Sequence, residues 1–170
     1  MNRIEWSGLL AGAELIGAPP AEISGVYYDS RAVTPGSVFV AVPGAMPPLS
    51  RDGHDFIAQA LDRGAAVVVA QAGHRPQWEA LAKSGRAAFV VVEDTRSALA
   101  TVAAAFYGFP ARRLKTVGVT GTDGKTTTVH IIDAVLEAGG LSPGFLSSVE
   151  FKADGGQVCA LLQGRANAFC

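Results

Sequence analysis

The chain has little of what several protein classes need. Of its 170 residues only two are cysteines, Cys159 and Cys170, and they form no CxxC pair. The three histidines, His54, His74 and His130, show no ligand spacing with them. A disulfide framework and a zinc site are therefore unsupported, and a reducing cytoplasm is the expected location. Charged residues make up only 17%, the net charge is −1, and no run of Lys and Arg stands out. That argues against nucleic acid as a partner. The apolar runs are strand-sized and too short to span a bilayer, so no membrane partner is expected. The apolar stretch 8–18 is interrupted by Glu14 and makes a poor signal peptide.

What is present is an apolar content of 49%, with 20 glycines. That composition suits a packed α/β protein rather than a disordered one. A short helix is predicted over 5–17, where Leu9, Leu10, Ala13 and Ile16 share one face. Strands are predicted over Ile23–Tyr28, Val38–Val42, Ala65–Ala70 and Ala88–Val92. Between them, helices are predicted from Asp52 to the stop at Gly64, and from Pro76 to Gly85. Asp94 caps a further alanine-rich helix through Tyr107. The alternation argues for a layered α/β domain. Leu114–Val119 reads as one more strand and Lys125–Ala138 as a helix closed by Gly139-Gly140. Val149–Lys152 and Gln157–Leu162 read as a hairpin across Asp154-Gly155. Residues 164–170 carry no periodicity.

The chemistry concentrates where that last strand meets the last helix. Gly121-Thr122-Asp123-Gly124-Lys125-Thr126-Thr127 has the make-up of a phosphate-binding loop. Glycines let the backbone approach anionic oxygens, loop N–H groups point at them, and the helix N-terminus adds the positive end of its dipole. Lys125 would reach the β- and γ-phosphates of ATP, and the Thr126 hydroxyl would ligate Mg²⁺. The first glycine of the general GxxxxGK[ST] pattern falls on Val119, between Gly118 and Gly121. The plainer alternative is a glycine-rich turn that only joins a strand to a helix. Upstream, Asp29-Ser30-Arg31 ends a strand and reads either as a polar turn or as a binding segment. Asp52 and His54 read as structural, with Asp52 capping a helix.

Residues 117–127 resemble the ATP loop of the Mur ligases, which join amino acids to the peptidoglycan precursor. The family most often has Asn where this chain has Asp123. Two upstream segments resemble family landmarks in the same order: Tyr28–Gly36 with Val38–Ala41, and Asp52–Ile57 with Ala60, Gly64 and Ala65. Phe106-Tyr107-Gly108 with Pro110 resembles the approach to the ATP domain. The resemblance implies a small N-terminal α/β domain over 1–93 that binds a UDP-sugar. The start of a P-loop-type central domain would follow over 94–170. It implies an ATP- and Mg²⁺-dependent ligase that forms an amide bond through an acyl phosphate. By position, Gly121 to Thr127 would hold ATP, Thr126 the metal, and Ser30 the uridine part of a UDP-MurNAc-peptide.

Thr122 and the Lys-Thr-Thr ending look like the branch that adds the third stem-peptide residue, diaminopimelate or lysine, to UDP-MurNAc-L-Ala-D-Glu. The branch adding D-Ala-D-Ala shares the upstream segments and remains an alternative. The family's metal-binding carboxylate and histidine groups and its amino-acid-binding domain have no counterpart in the sequence. The expectation is a monomeric N-terminal portion with no catalytic residue of its own, inactive alone. The competing reading is a non-catalytic nucleotide-binding fragment or relic.

Overall fold

The computed structural model describes residues 2–6, 8–44 and 51–153, and the backbone of 157–160. The chain divides into two compact units, Met1–Leu114 and Lys115–Cys170. The architecture is mixed α/β, as expected.

The first unit is built on a five-stranded sheet. Its strands are β2 (Glu14–Ile16), β4 (Val26–Tyr27), β5 (Val38–Val40), β6 (Val67–Gln71) and β7 (Ala88–Val92), in the order β2-β7-β6-β5-β4. β4 to β7 run parallel and β2 joins antiparallel at one edge. A separate pair joins β1 (Asn2–Arg3) to β3 (Glu22–Ile23). Strand side chains alternate between faces, and here both faces are apolar. Phe39, Val68, Ala70, Phe89 and Val91 pack under α1 (Ile57–Asp62) and α2 (Arg75–Lys83), against Ile57, Leu61 and Trp78. Val38, Val40, Val67, Val69 and Val90 pack on the other face against Ala98 and Val102 of α3 (Thr95–Phe106). Continuous Val-rich runs are what a sheet covered on both sides requires.

Local signals set the helix ends. Asp52 accepts from the His54 backbone N–H and caps a 3₁₀ turn over Gly53–Phe56 that leads into α1. Asp94 accepts from the Arg96 N–H and caps α3. α3 packs on the first unit's sheet, and that unit extends past residue 93 to Leu114.

The predicted helix over 5–17 is not formed. Gly8, Gly12 and Gly17 take positive φ of 79°, 77° and 81°, which turns the chain where a helix would continue. Leu15 instead pairs with Val90, so ladder hydrogen bonds at the sheet edge win over a weak helical stripe. Leu9, Leu10 and Ala13 still pack against the core.

In the second unit, α4 runs Lys125–Ala138, with Gly139 as its C-cap. A three-stranded antiparallel sheet follows: β8 (Phe145–Leu146), β9 (Glu150–Ala153) and β10 (Gln157–Ala160) in the order β10-β9-β8. The β9–β10 pairing is the predicted hairpin; its turn and residues 161–170 lie outside the described residues. The predicted strand over 114–119 is absent: 115–120 carry no strand assignment, and Val117 is exposed. An extended segment becomes a strand only through a ladder partner, and this one has none among the described residues.

Candidate functional site

Gly124 opens α4 in the left-handed region, with φ 73°. A side chain there would be strained, so glycine suits the point where the loop turns into the helix. The loop and helix start are open to solvent from Thr120 to Lys125, and Thr126 is half-buried. Lys125 folds back over the loop. Its Nζ donates to the Gly121 carbonyl at 2.7 Å and the Thr122 carbonyl at 3.0 Å. An ammonium carries three donors, so one remains for an anion. α4 is fourteen residues long, enough to present a full set of N-terminal N–H groups and a developed dipole. Gly121 to Thr127 thus lie together at this helix start, with Thr126 in the first turn. The donors suit a polyphosphate, and a Thr hydroxyl suits an oxygen-seeking Mg²⁺.

Ser30 lies elsewhere, in the first unit, in the turn after β4. It is buried, and its Oγ donates to Gln59 Oε1 of α1 at 2.6 Å. On either side, Arg31 grips Asp29: Nε and Nη2 donate to the two carboxylate oxygens, at 2.9 Å and 2.6 Å. The Asp29 carboxylate also accepts from the Arg31 backbone N–H at 3.0 Å. Tyr28 beside them is exposed. Gln59 could not be read from the sequence, because its partner is 29 residues away and a glutamine on an exposed helix face has no pattern of its own.

A third cluster joins residues the sequence had kept apart. The His54 and His74 rings stack at 4.2 Å, within 8° of parallel. Asp52 bridges them, with Oδ1 2.6 Å from His54 Nδ1 and Oδ2 3.0 Å from His74 Nε2. One carboxylate and two imidazoles this close have the make-up of a metal site. The hydrogen bonds give a different answer. The Gln71 backbone N–H donates to His54 Nε2 at 3.0 Å, so the ring proton sits on Nδ1, the atom facing Asp52. A metal at Nδ1 would move that proton to Nε2, against another donor. Burial pushes the His54 imidazole below its ordinary value, while its hydrogen bond to Asp52 and that residue's charge push it back up; the net shift is down. Burial raises the Asp52 carboxyl, but hydrogen bonds from the His54 backbone and ring, with the nearby imidazole charges, outweigh it and hold it low. His54 is a structural histidine, as expected, and it is buried; Asp52 caps the 3₁₀ turn in which it stands.

In the second unit, α4 aims a polar stripe at the small sheet. Lys152 of β9 is buried and donates to both Asp133 oxygens, at 3.0 Å and 2.8 Å, and to Glu137. His130 Nε2 lies 2.7 Å from Glu150. Hydrogen bonds from Lys152 to Asp133 and then Glu137 push its ammonium above the ordinary lysine range. It is a fully engaged cation.

The chain has relatives among known proteins. The family described as "Mur ligase family, catalytic domain" matches residues 22–107. A UDP-N-acetylmuramyl-tripeptide synthetase of Roseiflexus sp. (strain RS-1) is 51% identical over 138 residues, 79% of this chain and 25% of that protein. A UDP-N-acetylmuramoyl-L-alanyl-D-glutamate--2,6-diaminopimelate ligase of Syntrophomonas wolfei is 45% identical over 70% of this chain and 22% of its own length. Among solved structures, MurF from Acinetobacter baumannii superposes with a TM-score of 0.52 at 31% identity, covering 72% of this chain and 24% of that one. The chain thus spans about a quarter of the length of these relatives. The family match takes in just over half of the 170 residues, and on that footing the chain belongs to the Mur ligase family.

Proposed function

We propose that this chain carries the UDP-sugar domain, over residues 1–93, and the ATP loop, within 94–170, of an ATP-dependent ligase of peptidoglycan precursor synthesis. The reaction adds diaminopimelate or lysine to UDP-MurNAc-L-Ala-D-Glu through an acyl phosphate. The observation that carries the reading is Lys125 folded over a glycine loop at the head of α4. The relatives named as tripeptide synthetase and as 2,6-diaminopimelate ligase point to the third-residue branch. A D-Ala-D-Ala-adding ligase is the second reading, favoured by the likeness to MurF at 31% identity. The higher identity to the first group puts it second.

In this reading, loop N–H groups from Gly121 to Gly124 cradle the phosphates and the remaining Lys125 proton reaches toward them. The Thr126 hydroxyl offers an oxygen to Mg²⁺. Bound ATP supplies the phosphoryl group that activates the substrate carboxylate. Ser30 holds the uridine end of the sugar nucleotide. Charge on the transferring group needs cations around it, and Lys125 is the one this loop provides. The chain works in the cytoplasm as a monomer, and the amide bond is not completed by these 170 residues alone.

The test is calorimetry with ATP–Mg²⁺ and with the UDP-MurNAc-dipeptide, beside an amide-forming assay with diaminopimelate or lysine. Binding of both ligands without turnover is expected. Turnover by the chain alone would overturn the assignment of no catalytic residue within it, and failure to bind either ligand would overturn the site assignments.

A further inference from the structure

We propose that Gln59 is a positioning residue for the nucleotide contact at Ser30. It makes that contact an acceptor, so that the matching ligand atom is the imide N–H of a uracil ring. This rests on the reading of the first unit as the UDP-sugar domain.

A serine hydroxyl has one proton and two lone pairs, and a free one rotates to suit its partner. The Ser30 hydroxyl is not free. Its proton is committed to Gln59 Oε1 at 2.6 Å, so toward a ligand it offers lone pairs. Gln59 is exposed, but it stands on α1 between Ile57 and Ala60, both fully buried, so core packing anchors the helix backbone from which its side chain reaches Ser30. The Asp29–Arg31 fork holds the turn that carries Ser30. A two-point contact from Arg to carboxylate resists rotation, and so the Ser30 backbone is held from both neighbours.

The consequence is a preference between bases. Uracil carries a donor at N3, whereas cytosine carries a bare ring nitrogen there and would set lone pair against lone pair. If Gln59 lost its acceptor, the Ser30 hydroxyl could turn and donate, and the preference would relax. A residue that merely filled space would not change which base is preferred.

The experiment titrates UDP, CDP and N3-methyl-UDP into the full chain, as wild type and as Gln59→Met, Gln59→Glu and Ser30→Ala. Thermal melts check that each variant folds. Wild type should bind UDP about tenfold more tightly than either other nucleotide, the size expected for one matched hydrogen bond against one left unpaired. Gln59→Met should shrink that gap to about threefold or less. Gln59→Glu keeps an acceptor for the Ser30 proton and should preserve the gap, while Ser30→Ala should abolish it. A folded Gln59→Met chain with the full gap would overturn the proposal and leave the site reading standing. A wild-type chain that binds no UDP would overturn the site reading and this proposal together.

Discussion

The two units dispose of their apolar residues in opposite ways. In the first, Phe39, Val68 and Phe89 on one face of the sheet and Val38, Val67 and Val69 on the other are all fully buried. In the second, α4 turns Asp133 and Glu137 toward the small sheet and leaves Ile131 and Val135, one helical turn apart, 59% and 64% exposed. The difference separates a unit built on burial from one built on polar contacts. The first unit is held by burial, the larger force in folding. The second holds its helix by a lysine between two carboxylates and keeps its glycine loop open to solvent.

The sharpest way to break this comparison is Phe39→Ala. Removing a fully buried ring from a core strand should cost about 3–5 kcal/mol, read as a lowered denaturant midpoint. Next in size is Lys125→Met, which should weaken ATP affinity about tenfold or more in calorimetry while leaving the melting temperature unchanged, because Lys125 is exposed. Acid should act on the first unit through His54. Its folded value lies below the ordinary one, so the unfolded chain takes up a proton first as the pH drops. The His54 contribution is fully present above about pH 6.5 and declines below it, by at most about 1.4 kcal/mol per pH unit. The low Asp52 carboxyl adds a further loss only below about pH 4. Melting temperature should therefore fall between pH 7.5 and pH 5, and His54→Gln should flatten that slope. The smallest effect is expected of Ile131→Ala, within about 0.5 kcal/mol, since the side chain is already mostly in water. A loss as large as that of Phe39→Ala would erase the contrast between the units.

What the sequence disclosed follows how local each signal is. α4 begins at Lys125 and ends before Gly139, as read, because glycines at both ends and the apolar spacing between them are local. The Asp94 cap and the Val-rich strand β7 were legible for the same reason. The short β2 was not: its identity depends on Val90, far along the chain, and the glycines beside it fall within an apolar spacing that suits a helix. The segment 114–119 failed in the other direction, since its composition suits a strand but no ladder partner pairs with it among the described residues. The candidate site divides in the same way. The loop around Lys125 is contiguous and could be read directly. The Ser30–Gln59 bond and the His54–His74 stack join residues 29 and 20 positions apart, and only the fold brings them together.

Two contacts pin the chain just past the end of β5. The Gly53 N–H donates to the Val42 carbonyl at 2.9 Å, and Arg96 Nη2 donates to the Pro43 carbonyl at 2.6 Å. A Cβ on residue 53 would come within 2.6 Å of the Val42 nitrogen, so only glycine allows the two strands of chain to meet there. Val42 and Gly53 are thus riveted backbone to backbone, though 11 positions apart in the sequence. The rivet uses no side chain, so its strength rests on the missing Cβ alone. Gly53→Ala should part the two backbones, unseat the 3₁₀ turn that leads into α1 and lower the melting temperature of the whole unit.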